Sequence, residues 1–173
     1  MKQMFQKRNN WVVTEFFLLN PFEEVGIREL AKLLNLPPAS ILREIKILLQ
    51  NQFIQKIKKV YKANVEKREY LALKSAYNVW KLKSTDLVEV LKDEAVPQSI
   101  IVFGSFASAR DTSKSDVDIA IIDGKDIKTD LTKYENILKR KISLHKIKWD
   151  TCSEELKLSI VNGITLYGYL KHA

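Results

Sequence analysis

The sequence predicts an α+β protein in two parts, and three observations carry that expectation. Ile27, Leu30, Ala31 and Leu34 fall at the i, i+3, i+4, i+7 spacing of one helical face. Residues 53–63 alternate apolar and basic side chains with the period of two that marks a half-buried strand. Ser99-Ile100-Ile101-Val102-Phe103 is an apolar run short enough to be a buried strand, and Ser115–Ile122, with five apolar residues in its last six, reads as another. The chain has 173 residues, of which 46% are hydrophobic, enough for two compact cores. The pattern divides it into residues 1–65, a helical linking segment 66–95, and a second domain 96–173.

Taken in order, Trp11 to Leu19 is apolar with Glu15 inside it, and its stop at Asn20-Pro21 predicts a first helix. The second helix is the one spaced on Ile27. Asn35-Leu36-Pro37-Pro38 is a turn, and Pro38 suits the first turn of a third helix, where its missing N–H costs nothing. That helix runs to about Gln50, with Ile41, Ile45 and Leu48 inward and Ser40, Arg43 and Lys46 toward its other side. The alternating segment that follows reads as a hairpin with Lys58-Lys59 near its tip. Beyond it, Tyr70, Leu73, Tyr77 and Trp80 form an apolar stripe at helical spacing, suited to core or dimer packing, and a further helix covers 85–94.

Three short helices followed by a basic hairpin resembles the winged helix-turn-helix family over roughly residues 8–65. The resemblance lies in the rhythm of "IRELAKLLNLPPASILREIKILLQNQFI". It implies DNA as a partner, with Ser40, Arg43 and Lys46 of the third helix in the major groove and Lys58 and Lys59 on phosphate. Charge agrees with a phosphate-rich partner. Residues 1–95 hold 17 basic and 11 acidic residues, +6, and the remainder 12 and 10, +2. The alternative is a three-helix interaction or dimerisation module with a solvated lysine-rich surface.

The chemistry lies further on. The run 99–103 ends at Gly104-Ser105, where a glycine lets backbone approach a ligand closely. A helix starting at Ser105 would aim free N–H groups at an anion. Ser115-Asp116-Val117-Asp118-Ile119-Ala120-Ile121-Ile122 reads as a strand. Strand side chains alternate, so Asp116 and Asp118 share one face and Val117 and Ile119 the other. Two ionised carboxylates so placed repel, and a divalent cation with hard oxygen ligands, Mg²⁺ above all, resolves the conflict.

"VFGSFASARDTSKSDVDIAII" is similar to the nucleotidyltransferase signature of the DNA polymerase β superfamily, especially its small archaeal and bacterial minimal nucleotidyltransferase branch. The resemblance covers about residues 97–170 and includes a closing "VNGITLYG". It implies a mixed sheet flanked by helices and two Mg²⁺ ions on Asp116 and Asp118, the catalytic pair. It also implies a nucleoside triphosphate held by Gly104, Ser105 and Ser115. The implied reaction transfers a nucleoside monophosphate to a hydroxyl or phosphate and releases pyrophosphate.

The sequence departs from that pattern at two places. Where the family commonly has Arg-Gly, Ser108-Ala109 stand, with Arg110 one position later. The third carboxylate of active members is expected on a later strand, and the best candidate is 141–150. There Ile142 and Leu144 would face the core and Ser143 would occupy the acid's place. Asp150 is seven residues on, about 23 Å along an extended strand at roughly 3.3 Å per residue, too far to substitute. His145 would share the face of Ser143, as a base or as an ordinary half-exposed strand histidine. Loss of a general base costs about two to four powers of ten in rate.

Two further readings therefore stand beside the enzyme. One is a nucleotide-sensing or dimerising transcriptional regulator with a weakened transferase domain. The other, on family analogy, is an antitoxin-type partner of a toxin. Composition excludes other classes. Cys152 is the only cysteine, so no intramolecular disulfide forms and a reducing, cytoplasmic setting is expected. Cys152, His145 and His172 are too scattered for a zinc cage. No apolar run is long enough to span a bilayer, so no membrane partner is expected, and Met1–Arg8 lacks the apolar segment of a secretory signal.

Overall fold

The computed structural model describes residues 9–170, so Met1–Arg8 and His172 lie outside the described residues. The chain divides into two compact units, Met1–Leu73 and Lys74–Ala173.

In the first unit, helices α1 (Asn9–Leu19), α2 (Ile27–Leu34) and α3 (Pro38–Gln50) precede strands β1 (Ile54–Ile57) and β2 (Val60–Ala63). On α2, Leu30 and Ala31 are buried, and the helix ends at Asn35, whose φ of 51° is a left-handed cap that asparagine tolerates. Pro38 opens α3, which buries Ile41 and Ile45; Leu48 is only half-buried. β1 and β2 pair antiparallel from Ile54↔Ala63 to Ile57↔Val60, leaving Lys58-Lys59 as the two-residue turn. Val25 bridges to Tyr61 and widens the hairpin locally. The core gathers Val13, Phe17, Leu18, Val25, Ile41, Ile45, Ile54 and Tyr61. Tyr70 joins it, its hydroxyl donating to the Phe17 carbonyl at 2.9 Å.

Helix α4 (Arg68–Lys83) carries the division between the units, and α5 (Leu87–Ala95) follows. The expected stripe on α4 holds at Tyr70 and Tyr77 and fails at Leu73. Leu73 is 38% exposed, whereas Lys74 beside it is fully buried between Tyr70 and Tyr77 in the sequence. An ion pair described below accounts for this exchange. Residues 87–95, placed in a linking segment by the sequence, supply Leu87, Val88, Leu91 and Ala95 to the core of the second unit.

That unit is built on β3 (Ser99–Phe103), β4 (Val117–Ile122), β5 (Ile142–Ile147) and β6 (Ile164–Gly168), with helices α6 (Gly104–Ala107), α7 (Thr132–Leu138) and α8 (Glu154–Val161). The strand order is β5-β4-β3-β6. β3 pairs antiparallel with β4 and β6, and β4 pairs parallel with β5, so the sheet is mixed. One face carries Ile100, Val102, Val117, Ile119 and Ile121 against residues of α5, α6 and α7. The other carries Ile101, Phe103, Ala120, Ile122 and Ile147 with Ile160 of α8. This alternation fixes where the aspartates go. Gly168 is held at φ 72°, and a Cβ there would lie 2.0 Å from the Gln98 carbonyl oxygen, so the end of β6 demands glycine.

Candidate functional site

Asp116 precedes β4 and Asp118 is its second residue, since the strand starts at Val117, two places later than the Ser115 read from sequence. With Val117 and Ile119 in the first core, Asp118 lies on the face shared with Ala120 and Ile122. The parallel register sets Asp118 beside Ser143 and Ala120 beside His145. Ser143 donates its hydroxyl to Asp116 Oδ2 at 3.3 Å. His145 Nε2 lies 3.0 Å from Asp118 Oδ1, its ring edge-on to Phe103. Each carboxylate thus meets one residue of β5, and Ser143 lies on the face of Asp118 as its alternation predicted. His145 is brought into the site as a direct partner of Asp118. Asp150 sits in the short helical turn Trp149–Thr151, beyond the far end of β5.

The Gly104 bend closes the other side. Gly104 sits at φ 69°, and a Cβ there would lie 3.0 Å from Asp118 Oδ2. The position needs glycine both for its backbone angle and for the carboxylate it faces. The helix that follows is one turn long. A summed helix dipole is therefore small here, and any hold on an anion comes from the local N–H groups and the half-buried Ser105 side chain. Ser108 donates to the carbonyls of Gly104 and Ser105 at 3.0 and 3.2 Å, fastening the turn. Ala109 is held at φ 60° while almost fully buried. Arg110 is exposed. The Ser115 hydroxyl accepts from the Thr112 N–H at 2.9 Å and so closes the loop ahead of Asp116.

Sequence reasoning missed the anchor of that loop. Asp111 is fully buried, with Lys74 Nζ 2.9 Å and Asn78 Nδ2 2.8 Å from its Oδ1. Arg140 Nη2 lies 2.8 Å from Oδ2, an ionic contact at an angle outside hydrogen-bond geometry. Asn78 also donates to the Phe106 carbonyl at 2.8 Å. Burial pulls Lys74 below the ordinary lysine value, with the Asp111 charge opposing it. Burial likewise lowers Arg140, again against Asp111. This cluster ties α4, the α6–β4 loop and the start of β5 together, and so fixes the approach to Asp116. The one hint in the sequence is the i, i+4 pair Lys74 and Asn78 on a helix that is otherwise apolar on that side.

Among the described residues no group of three or more His, Cys, Asp or Glu side chains is placed to hold a metal. The donor set is two carboxylates, each with one oxygen engaged by β5. Such a set fits one Mg²⁺ ion, which takes one or two carboxylates and completes its shell with water and substrate phosphate. Ser143 supplies no further charge.

The DNA-facing residues read from sequence belong to the first unit. Arg43 and Lys46 are exposed on α3, Ser40 is half-buried, and Lys58 and Lys59 are exposed at the hairpin turn, Lys58 at φ 53°. No described helix is long and apolar enough to cross a membrane. Cys152 is a free, half-buried thiol.

A family model, that of polymerase β nucleotidyltransferases, matches residues 85–171, half of the chain. No curated protein matches it.

Proposed function

Because the chain belongs to the polymerase β nucleotidyltransferase family, we propose that its second unit binds a nucleoside triphosphate at Gly104-Ser105 and transfers the nucleoside monophosphate to an acceptor. The observation that carries this reading is Asp118 against the Gly104 bend, with Asp116 just ahead of it on Ser143 of the neighbouring strand. Asp116 and Asp118 are the residues that would hold Mg²⁺. When bound, the ion would neutralise charge developing on the transferred phosphate. The chain's own share is positional. Gly104 clears space against Asp118, Ser105 offers a hydroxyl to phosphate, and Ser143 and His145 orient the two carboxylates by hydrogen bonds.

The experiment is calorimetric titration of a non-hydrolysable nucleoside triphosphate in Mg²⁺, followed by labelled-nucleotide transfer assays. Binding by the wild type and its loss in Asp116→Ala/Asp118→Ala is the expected outcome. Equal binding by both removes the reading.

A second reading is favoured by Ser143, which contacts Asp116 where a third acid would stand. In it the unit binds nucleotide with little turnover and acts as a sensor. It is separated from the first by transfer. Nucleotide binding with no measurable incorporation, and restored incorporation in Ser143→Asp, supports the sensor.

For the first unit we propose a winged helix that binds DNA through Ser40, Arg43 and Lys46 of α3 and Lys58 and Lys59 of the turn. The exposed lysine pair at the hairpin turn supports it. DNA affinity should fall steeply with salt and weaken in Lys58→Gln/Lys59→Gln. Binding indifferent to salt sinks it.

A further inference from the structure

The bend at Gly104-Ser105 stands close against Asp118, since a Cβ on Gly104 would lie 3.0 Å from Asp118 Oδ2. The helix that carries the bend cannot hold itself there. α6 has four residues, a single turn, and one turn of helix does not repay the cost of ordering it. Its carbonyls show what holds it instead. The Gly104 carbonyl accepts from the N–H and the hydroxyl of Ser108, and that of Ser105 from the Ser108 hydroxyl and the Arg110 N–H. The next two are taken by another helix. Asn78 Nδ2 of α4 donates to the Phe106 carbonyl at 2.8 Å, and Ser75 Oγ of α4 donates to the Ala107 carbonyl at 3.1 Å. Every carbonyl of the turn is thus occupied, two by the chain just downstream and two by α4.

Ser75 and Asn78 are three residues apart and so share one face of α4. Asn78 is buried, and its amide nitrogen has two hydrogens to give. One goes to Phe106 and the other to Asp111 Oδ1 at 2.8 Å. A carbonyl and a carboxylate paired with two cations only accept, which fixes the nitrogen at that place in the network. One side chain therefore joins the bend to the loop that leads to Asp116. Removing it takes a donor from a buried carbonyl and a buried carboxylate at once. Neither Ser75 nor Asn78 lies in the family-matched segment, which begins at residue 85.

We infer that Ser75 and Asn78 are positioning residues of the nucleotide site. They act through α6, seating the Gly104-Ser105 bend where one phosphate chain reaches both the Ser105 hydroxyl and an ion held by the aspartates. The inference rests on the proposed nucleotide binding, and it extends the transferase machinery of this chain back into α4. A displacement of about 1 Å at such a site costs up to about a hundredfold in rate, so the seating of a one-turn helix matters to function.

The test uses the full chain in Mg²⁺. The α,β-methylene analogues of the four common nucleoside triphosphates are titrated by calorimetry, and the tightest is carried through the variants. Ser75→Ala deletes one donor at a half-buried position, Ser75→Thr keeps the hydroxyl, and Asn78→Ala deletes the link to Asp111. Ser84→Ala is the control, since it removes an exposed hydroxyl bonded to the Lys81 carbonyl beyond the end of α4. Affinity should fall about fivefold in Ser75→Ala and about tenfold or more in Asn78→Ala, and stay within about twofold of wild type in Ser75→Thr and Ser84→Ala. Stoichiometry counts the folded fraction, so a variant that is merely less stable keeps its dissociation constant. Amide exchange without nucleotide, read by mass spectrometry, should rise in peptides covering 104–108 and not in those covering 117–122. Should Asn78→Ala fail to fold, the Ser75 pair decides alone. Wild-type affinity in Ser75→Ala, or an equal fall in Ser75→Ala and Ser84→Ala, overturns the positioning role and leaves the nucleotide reading intact. A wild type that binds none of the four analogues overturns both.

Discussion

Two sets of carboxylates lie within eight residues of one another and have opposite fates. Asp111 is fully buried and meets two cations and an amide. Asp116 is exposed and Asp118 about one third exposed, and their partners are a hydroxyl and an imidazole. A carboxylate neutralised by Lys74 and Arg140 has nothing left to offer a metal, and it holds the loop in place. The pair on Ser143 and His145 meets no lysine or arginine in an ion pair among the described residues. The comparison separates what fixes the site from what acts in it, over a stretch in which every residue involved is an aspartate.

The largest expected effect breaks the buried side. Asp111→Asn leaves Lys74 and Arg140 buried without their counter-charge and should cost about 3–5 kcal/mol of unfolding free energy in denaturant titration. A loss under about 1 kcal/mol would mean that the cluster is solvated and the contrast false. The pH dependence sharpens this. Lys74 is lowered in the fold by burial while Asp111 opposes the shift. Without Asp111 it falls further. The unfolded chain then binds more protons than the folded one in the window below the ordinary value of 10.5, so stability there rises with pH. Asp111→Asn should therefore regain stability as pH climbs toward that value, more steeply than the wild type. A flat difference between the two chains would rule out Lys74 as the titrating group.

Asp116→Asn should behave in the opposite sense. Removing one of two like charges at an exposed site should change stability by no more than about 0.5 kcal/mol, while nucleotide binding in Mg²⁺ falls about tenfold or more. Unfolding comparable to Asp111→Asn would place Asp116 in the scaffold.

The smallest effect concerns the turn just ahead of Asp111, at Ala109. Relief of the left-handed backbone at Ala109 is worth about 1–2 kcal/mol, against about 0.5–1 kcal/mol of backbone entropy for the new glycine. Ala107, in α6, has no such strain to relieve. Ala109→Gly should thus be more stable than Ala107→Gly by about 1–2 kcal/mol in thermal unfolding. Equal losses would deny that the turn is strained.

What the sequence disclosed follows the range of the interactions involved. Gly104-Ser105 and Asp116/Asp118 were legible because a turn and a period-two strand are local patterns, and Val117 and Ile119 fix their opposite face. The mixed sheet was implied by resemblance, and β4 does pair parallel with β5. The Asp111 cluster was not legible. Its members, Lys74, Asn78, Asp111 and Arg140, are brought together by folding alone, and each reads in sequence as an ordinary polar residue. For the same reason the stripe on α4 was assigned to Leu73, since hydrophobic spacing cannot foresee that a buried carboxylate will draw in the neighbouring lysine. His145 stood open between two readings, and only the register of β5 places it on Asp118.

The parallel pairing of β4 with β5 has a consequence in time. Parallel neighbours require a crossover, here the segment through α7, so the face that meets the aspartates is made of chain synthesised well after them. A nascent polypeptide that has emerged only as far as Ile122 holds the glycine bend and both acids, yet has neither Ser143 nor His145 to orient them. The face that carries the two aspartates is therefore completed late, in one long-range step whose loop-closure entropy is met only when the crossover docks.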